Sequence, residues 1–348
     1  MRHNQVVLCG VIQDAPKVRK SSDGKVFAQF RIITINGNRT GGRQIEAKAF
    51  DAPLIHTTNP DLIGEIEKIE VGDFVLIKGA VTTATVTRAP KCQHCGERQT
   101  INGILSYVSP ASVNIISKGA ALNSEGVFDR GIAVEKLKAY KEVSNICTVV
   151  GVVCREPQPY KSDEKHKRKI TTYQLAIKRK LRIIGEVDDN TADFPWVKSY
   201  GKIGMNDGLY IKKGTFMFID GWIRARKFER KAICQHCGQE MSWIDVSQNI
   251  VPYASEYIKD YKDPDEVTEQ DKNEYNKKRV HVETEDSMDE YGTISKEEQI
   301  EAEKILDSMS SRLANSDNDI ENDDTASQDS DDSAFLDLKT LREKLNKK

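Results

Sequence analysis

The chain has 348 residues, 38% of them hydrophobic and 30% charged, which is enough for two or three domains with substantial cores. No run of 18 apolar residues occurs, and the first residues carry no apolar stretch, so we expect neither a membrane span nor a signal peptide and place the protein in the cytoplasm. Seven cysteines are an odd number, and four of them form two C-x-x-C pairs, which favours metal or thiol chemistry over a disulfide framework.

The net charge of −2 conceals an asymmetry between two parts of the chain. Residues 1–258 contain 38 basic and 27 acidic residues, whereas residues 259–348 contain 14 basic and 27 acidic ones. A basic body favours a polyanionic partner, and an acidic tail of similar charge can compete with that partner for the same surface. A purely solubilising tail is the alternative.

The first repeat is predicted at residues 4–117 and is read as short strands with one helix. Alternating or continuous apolar positions indicate the strands, and apolar residues at helical spacing indicate the helix. The predicted strands are 6–12, 27–35, 45–50, 74–79 and 103–116, and the predicted helix is 59–69.

A linker with a short helix (118–143) leads to a second repeat at 144–258 with the same order. Its predicted strands are 147–153, 170–178, 196–200, 215–221 and 242–251. Residues 259–348 form an acidic tail that is too polar to bury much surface, so we expect it to be mostly disordered. Residues 294–313 and 335–345 have apolar residues at roughly helical spacing and are candidate partner-binding helices.

A pentapeptide that occurs twice shows that these two regions are duplicates. Cys92-Gln93-His94-Cys95-Gly96 returns as Cys234-Gln235-His236-Cys237-Gly238, and a glycine precedes each copy at the same spacing, at Gly79 and Gly221. The interval between the two copies is far longer than a solenoid repeat and indicates a duplicated domain. Five short strands, with a helix between the third and fourth, predict a mainly β fold of two tandem OB-fold barrels, each a five-stranded Greek key with a zinc-knuckle hairpin.

Three segments resemble the bacterial single-stranded DNA-binding protein family: 24–32, 71–79 and 201–214. The resemblance covers the two repeats as two tandem barrels. It implies a non-enzymatic protein that binds single-stranded DNA in replication, repair or recombination. The C-x-x-C pairs depart from the common bacterial form, which has no metal. The end of the tail departs from the family as well. Family members end in an acidic run with a few apolar residues at its tip, but here a basic amphipathic segment follows such a run at 331–336.

Strand alternation separates an outward face that is suited to binding. In the third strand of repeat two it places Trp196, Lys198 and Tyr200 outside, an aromatic–lysine–aromatic row that suits base stacking with a phosphate contact. Ordinary barrel surface, or a register slip of one residue, is the alternative. The other residues predicted to contact nucleic acid are Arg31, Lys48, Phe50, Lys167, Arg168, Lys178, Arg224 and Arg226.

Each C-x-x-C-G sequence has the form of a zinc knuckle, in which two thiolates face one ion. Because structural zinc takes four ligands and each repeat has one pair, we expect one shared four-thiolate zinc site from Cys92, Cys95, Cys234 and Cys237. Three alternatives to this site remain: a histidine of either knuckle replaces one cysteine as a ligand, the site forms between two chains, or the cysteine pairs bind no metal. The other three cysteines are expected to be buried packing residues.

The leading hypothesis is therefore a non-enzymatic single-stranded DNA-binding protein that recruits replication or repair proteins through its acidic tail. The alternatives are RNA binding and a protein-scaffolding accessory subunit of a polymerase, primase or helicase complex. An enzyme is not expected, because neither a phosphate-binding loop nor a zinc-protease motif occurs. No membrane partner is expected, and a homo-oligomer is left open.

Overall fold

The structure, a computed structural model, describes residues 3–21, 24–36, 50–140, 143–161, 169–179, 192–281, 297 and 300–306. Most of these residues lie in β-strands. Within the described part of the chain, no helix is long and apolar enough to cross a membrane.

Five strands of the first repeat close into a barrel. Its elements are β1 (Asn4–Val11), β2 (Lys17–Lys20), β3 (Val26–Arg31), β4 (Thr34–Ile35), β5 (Phe50–Asp51), β6 (Leu54–Thr57), α1 (Pro60–Ile66), β7 (Phe74–Arg88) and β8 (Ile101–Ser117). Strand β3 pairs with β6, β6 runs parallel to β8, β8 pairs with β7, and β7 pairs with β1. A bridge between Val11 and Ile33 completes the circle. This order, with one helix before the fourth barrel strand, confirms the predicted OB-fold.

The second repeat forms the same barrel. After α2 (Arg130–Lys138) come β9 (Asn145–Val153), β10 (Gln158–Lys161), β11 (Lys169–Lys178), β12 (Ala192–Asp193), β13 (Trp196–Tyr200), α3 (Gly201–Tyr210), β14 (Phe216–Ile233) and β15 (Glu240–Lys259). Strand β9 pairs with β11 and β14, β11 with β13, β13 runs parallel to β15, and β15 pairs with β14. Both barrels are filled by the inward side chains that strand alternation predicts, including Ala28, Phe30, Ile32, Tyr173 and Leu175, each at most 5% exposed.

The third strand of the first barrel differs from the prediction. The strand was predicted at 45–50, but residues 45–49 lie outside the described residues, and Phe50 pairs with Ile35 in a separate two-stranded sheet of β4 and β5. Leu54–Thr57 is the third barrel strand, directly before the helix that Asn59 caps and Pro60 begins. In the segment 45–50, small or apolar residues alternate with other residues as they would in a barrel strand, so the sequence alone suggests that this segment is the third strand. Local alternation cannot show which neighbouring strand a segment pairs with.

The duplicated Gly79 and Gly221 mark the point where each fourth strand leaves its barrel. The strand register shifts there, and a Cβ would lie 2.3 Å from the Ser109 carbonyl oxygen at the first glycine and 2.2 Å from that of Val251 at the second. Only glycine fits a backbone approach this close. Beyond these bulges, β7–β8 and β14–β15 continue as two long hairpins, here named arm one (80–109) and arm two (222–251).

The two barrels join through their first strands, which pair antiparallel about a local twofold axis. Val6 pairs with Cys147 at the centre. The symmetry extends to side chains, because Asn4 bonds both backbone groups of Val81 at 2.8 and 2.9 Å, and Asn145 does the same with Ile223 at 2.9 Å. The two repeats therefore form an internal pseudo-dimer.

The folded region extends past the predicted boundary at residue 258. A 3-10 helix (Pro264–Glu266), α4 (Glu269–Lys278) and β16 (Val280–His281) follow β15, and β16 pairs with β10. Tyr275 on α4 is 4% exposed, and a Cβ at Gly208 would lie 2.4 Å from its ring. The start of the acidic segment is thus packed on the second barrel, while residues 307–348 lie outside the described residues.

Candidate nucleic-acid interface and metal centre

The tips of the two arms meet at the four cysteines of the repeated pentapeptide. The Sγ atoms of Cys92, Cys95, Cys234 and Cys237 all lie within 4.8 Å of one another. The shortest distances join the two arms, at 3.8 Å between Cys92 and Cys237 and 3.7 Å between Cys95 and Cys234. A disulfide requires about 2.05 Å, so these distances exclude bonded pairs. Four sulfurs at about 2.3 Å from one Zn²⁺ lie about 3.8 Å apart along the edges of a tetrahedron, and the two distances between the arms match that value.

The backbone of each turn favours the thiolate form of its first cysteine. The amide groups of Cys95 and His94 donate to Cys92 Sγ and lower the pKa of that thiol. The amide groups of Cys237 and His236 act in the same way on Cys234 and lower its pKa to about 7. The second cysteine of each turn, Cys95 or Cys237, has a raised pKa, because burial and the neighbouring thiols disfavour its thiolate. Thiolates are the form that binds metal, and the four Sγ atoms lie close enough together to hold one ion. Both histidine side chains are exposed and lie outside the described cluster.

The three remaining cysteines do not share in this cluster. Cys9, Cys147 and Cys154 are each at most 3% exposed, and burial raises the pKa of Cys9 to about 11. A buried thiol with a raised pKa is inert, so these residues serve packing as predicted.

Each arm crosses to the opposite barrel, and a repeated aspartate fastens it there. Asp193 of the second repeat accepts a hydrogen bond from the Thr83 amide of arm one at 2.9 Å. Asp51 of the first repeat accepts one from the Ala225 amide of arm two at 3.1 Å. Both aspartates are at most 3% exposed. Each barrel face is therefore flanked by the arm of the other repeat as well as by its own.

The predicted aromatic–lysine–aromatic row of Trp196, Lys198 and Tyr200 lies on the outer face of the second barrel, between the two arms. Trp196 and Tyr200 are half-buried, whereas Lys198 is 4% exposed. Trp196 and Lys198 line a cleft whose walls come from both arms, and Phe228 of arm two adds an aromatic ring. The Arg224 guanidinium lies 5.3 Å from the centre of the Tyr200 ring and donates to its hydroxyl. The structure thus brings together Trp196, Lys198, Tyr200 and Arg224.

A buried aspartate joins two cations at the mouth of this cleft. Asp245 of arm two, 8% exposed, lies 2.9 Å from Arg88 Nε of arm one and 3.7 Å from Arg230 Nη1 of its own arm. This ion pair between the arms holds both arginines against the cleft.

Other predicted cations have structural contacts instead. Arg226 lies 3.9 Å from buried Asp51, and Arg31 donates to the Ala52 carbonyl at 2.8 Å. Lys178 is half-buried near the end of β11. Lys48, Lys167 and Arg168 lie outside the described residues.

Phe50 is half-buried on β5. It packs against a small apolar cluster that contains Cys9, Ile35 and Phe74. In the parallel pairs of the two barrels, Ile55 opposite Val108 corresponds to Val197 opposite Ile250. His56 is therefore the counterpart of Lys198, and Phe50 lies on β5 and not on the third barrel strand, where the sequence predicts it.

The sequence analysis missed an aromatic cluster on the outer face of the first barrel. The ring of His56 lies 5.4 Å from that of Phe27 and 5.0 Å from that of Tyr107. Their neighbours Ala28, Ile55 and Val108 are fully buried in the core, so the three side chains lie on the outer side of their strands, where Phe27 and His56 are half-buried and Tyr107 is 6% exposed. Burial lowers the pKa of His56, which leaves its ring uncharged at neutral pH. The three residues come from three strands, and only their pairing reveals the cluster.

Alanine variants of His56 and Phe50 are expected to have opposite effects. We expect His56→Ala to weaken the binding of single-stranded DNA by about 1–3 kcal/mol with little loss of stability, because it removes a stacking surface. We expect Phe50→Ala to lower the free energy of unfolding by about 1–3 kcal/mol and leave binding unchanged, because it removes packing. Oligonucleotide titration and urea unfolding of both variants measure the two quantities. The reverse pattern would return the binding face to Phe50.

Comparison with known proteins finds similarity to one curated protein and to solved structures. The chain is 32% identical over 90 residues to a single-stranded DNA-binding protein of Staphylococcus epidermidis, a match that spans 25% of this chain and 63% of that protein. No protein-family profile matches the chain. The crystal structure of the single-stranded DNA-binding protein from Thermus aquaticus gives a TM-score of 0.46 at 12% identity, with 75% of this chain and 95% of that chain covered.

A deletion mutant of the Thermus aquaticus protein gives a TM-score of 0.44 at 13% identity, over 76% of this chain and 98% of the other. Both TM-scores are below 0.5, so the fold assignment depends on the strand order of this chain and not on these two structures. The sequence match is independent of that assignment. It confirms that the chain resembles the bacterial single-stranded DNA-binding protein family, as segments of its sequence predict.

Proposed function

We propose that the protein binds single-stranded DNA along the outer faces of its two barrels and catalyses no reaction on it. The observation that carries this proposal is the presence of aromatic side chains on the corresponding outer face of both barrels. They are Trp196 and Tyr200 in the second barrel and Phe27, His56 and Tyr107 in the first. The sequence relative named as a single-stranded DNA-binding protein supports the same function.

Stacking on these rings provides sequence-tolerant affinity. A base stacked on an aromatic side chain contributes about 1–3 kcal/mol, and cations along the groove contact the backbone phosphates. Lys198 and Arg224 lie within the second face, and Arg88 and Arg230 lie at the cleft beside it. Because these four cations lie at or beside the second face, we propose that the second barrel contributes more of the affinity.

We further propose that one Zn²⁺ occupies the four-cysteine cluster and serves structure only. Cys92 and Cys95 of arm one and Cys234 and Cys237 of arm two would complete its coordination, which leaves no position for a reacting water. The ion would hold the arm tips together and thereby fix the walls of both faces.

The acidic C-terminal segment is proposed to recruit replication or repair proteins. Residues 259–348 contain 27 acidic residues. Part of this segment contacts the second barrel, since Glu301 Oε2 lies 2.6 Å from Lys213 Nζ. Acidic chains of this kind bind basic partner surfaces and are displaced by salt.

The proposed function is tested by titrating the full-length chain with a thymidine oligomer while its tryptophan fluorescence is recorded. We expect strong quenching, no comparable response to a duplex of equal length, and an affinity that falls with salt at a slope of about −0.7 per phosphate contacted. A ribonucleotide oligomer in parallel measures the preference for DNA over RNA. If neither single strand binds, the proposal fails, and the barrels then act as a protein scaffold.

A further inference from the structure

Two equivalent arginines meet where the arms approach each other. Arg88 of arm one and Arg230 of arm two are separated by the same interval as Cys92 and Cys234, so they hold the same position in the two repeats. Both arginine side chains line the cleft beside Trp196, where they are 20% and 15% exposed. Each side chain is therefore accessible to a ligand that enters the cleft.

The residues that face these arginines differ between the two repeats. Asp245 holds the position in arm two that Gly103 holds in arm one. The Asp245 carboxylate lies 2.9 Å from Arg88 Nε and 3.7 Å from Arg230 Nη1, so one acid is shared by two cations. At Gly103, a Cβ would lie 2.7 Å from Arg88 Nη1 and 3.8 Å from Arg230 Nη1. The glycine thus leaves room for both guanidiniums and supplies no second carboxylate.

The cleft consequently carries more positive than negative charge. Lys198 of β13, which is 4% exposed, also lines it, and Asp245 is the only acid among the described residues of the lining. Three cations and one carboxylate leave an excess of two positive charges in a partly enclosed site. Charges with little access to water are costly unless an opposite charge compensates them. An anion that enters the cleft would provide that compensation.

We propose that Arg88 and Arg230 form a phosphate subsite, in which guanidiniums from the two repeats hold one backbone phosphate of the bound strand. The inference rests on the proposed function and names the residues that hold the DNA backbone beside Trp196. A guanidinium presents its N–H donors in a planar fork that matches the oxygens of a phosphate. Asp245 keeps both side chains in place, because its carboxylate attracts both. Trp196 lines the same cleft, so the base next to this phosphate can stack on its indole.

The proposal is tested by supplying the carboxylate that the first repeat lacks. Gly103→Asp adds an acid beside both guanidiniums, and Gly103→Asn adds a side chain of the same size without a charge. Binding of a thymidine oligomer to the full-length chain is measured at several salt concentrations. We expect Gly103→Asp to weaken binding about 10-fold and to reduce the salt slope by about 0.7, the value for one phosphate. Gly103→Asn is expected to keep the wild-type slope.

Arg230→Gln removes one positive charge by a second route and leaves Asp245 paired with Arg88 at 2.9 Å. The same reductions of affinity and slope are expected, with thermal unfolding close to that of the wild-type chain. A wild-type slope in folded Gly103→Asp and Arg230→Gln would overturn the phosphate subsite and leave the proposed function standing. Equal losses in Gly103→Asp and Gly103→Asn would overturn it as well, because the loss would then follow the size of the side chain and not its charge. Failure of the wild-type chain to bind the oligomer would instead overturn the function itself.

Discussion

Replacing Cys234 with serine is expected to remove one zinc ion per chain and to weaken strand binding about 5–150-fold, because the arm tips are no longer joined. The arms stay fastened at their bases by Asp51 and Asp193, so the barrels are expected to remain folded. The variant instead loses the fixed position of the two arms, which form the walls beside the outer faces of the barrels. Arg88 and Arg230 keep their ion pairs with Asp245, but the side chains of the arms beyond that point would have to be ordered by the bound DNA, at about 0.5–1.5 kcal/mol for each side chain. Metal analysis of the purified chain and thymidine-oligomer titration measure the two effects.

Cys154→Ser is the matched control for this variant. Its thiol is 1% exposed and donates to the Gln174 carbonyl at 3.2 Å, a contact that a serine hydroxyl can also make. We expect it to retain one zinc ion and full affinity. A Cys234→Ser protein with undiminished zinc would show that the ligands are other groups. A wild-type chain that is free of zinc after purification under reducing conditions would remove the metal from the proposal altogether.

Much of this metal site could be predicted from the sequence, because the signal is local and repeated. The two copies of the pentapeptide, each preceded by a glycine at the same spacing, place a hairpin tip at the same point of each repeat. Four thiolates then follow from the coordination of structural zinc. The sequence could not show that each arm crosses to the other barrel. That arrangement depends on Asp51 and Asp193, whose partners Ala225 and Thr83 belong to the other repeat.

The proposed binding faces could be predicted only where one strand carries the whole pattern. Trp196, Lys198 and Tyr200 alternate along β13, so the row can be identified without knowledge of its neighbours. The first-barrel cluster combines Phe27, His56 and a tyrosine from three strands, and no single segment reveals it. The predicted cations illustrate a second limit. A basic residue has the same appearance in a sequence whether it faces a groove or, like Arg226, a buried aspartate.

Replacing Trp196 with alanine is expected to weaken strand binding by about 1–3 kcal/mol, roughly 5–150-fold, and to remove most of the fluorescence quenching. The indole is half-buried on the outer face of β13 and lines the cleft, so its loss removes a stacking surface and not a core side chain. Circular dichroism and thermal unfolding should therefore match those of the wild-type chain. Titration with a thymidine oligomer provides the measurement.

Trp222→Phe is the matched control, because that indole packs 4.3 Å from the Tyr253 ring and lies away from the cleft lining. Its affinity and its quenching should stay close to those of the wild-type chain. The comparison distinguishes stacking at one face from a general effect of losing an indole. If the folded Trp196→Ala chain binds the oligomer as tightly as the wild type, the strand does not pass over β13. In that case the first-barrel cluster of Phe27, His56 and Tyr107 would have to carry the stacking, and His56→Ala would become the larger of the two effects.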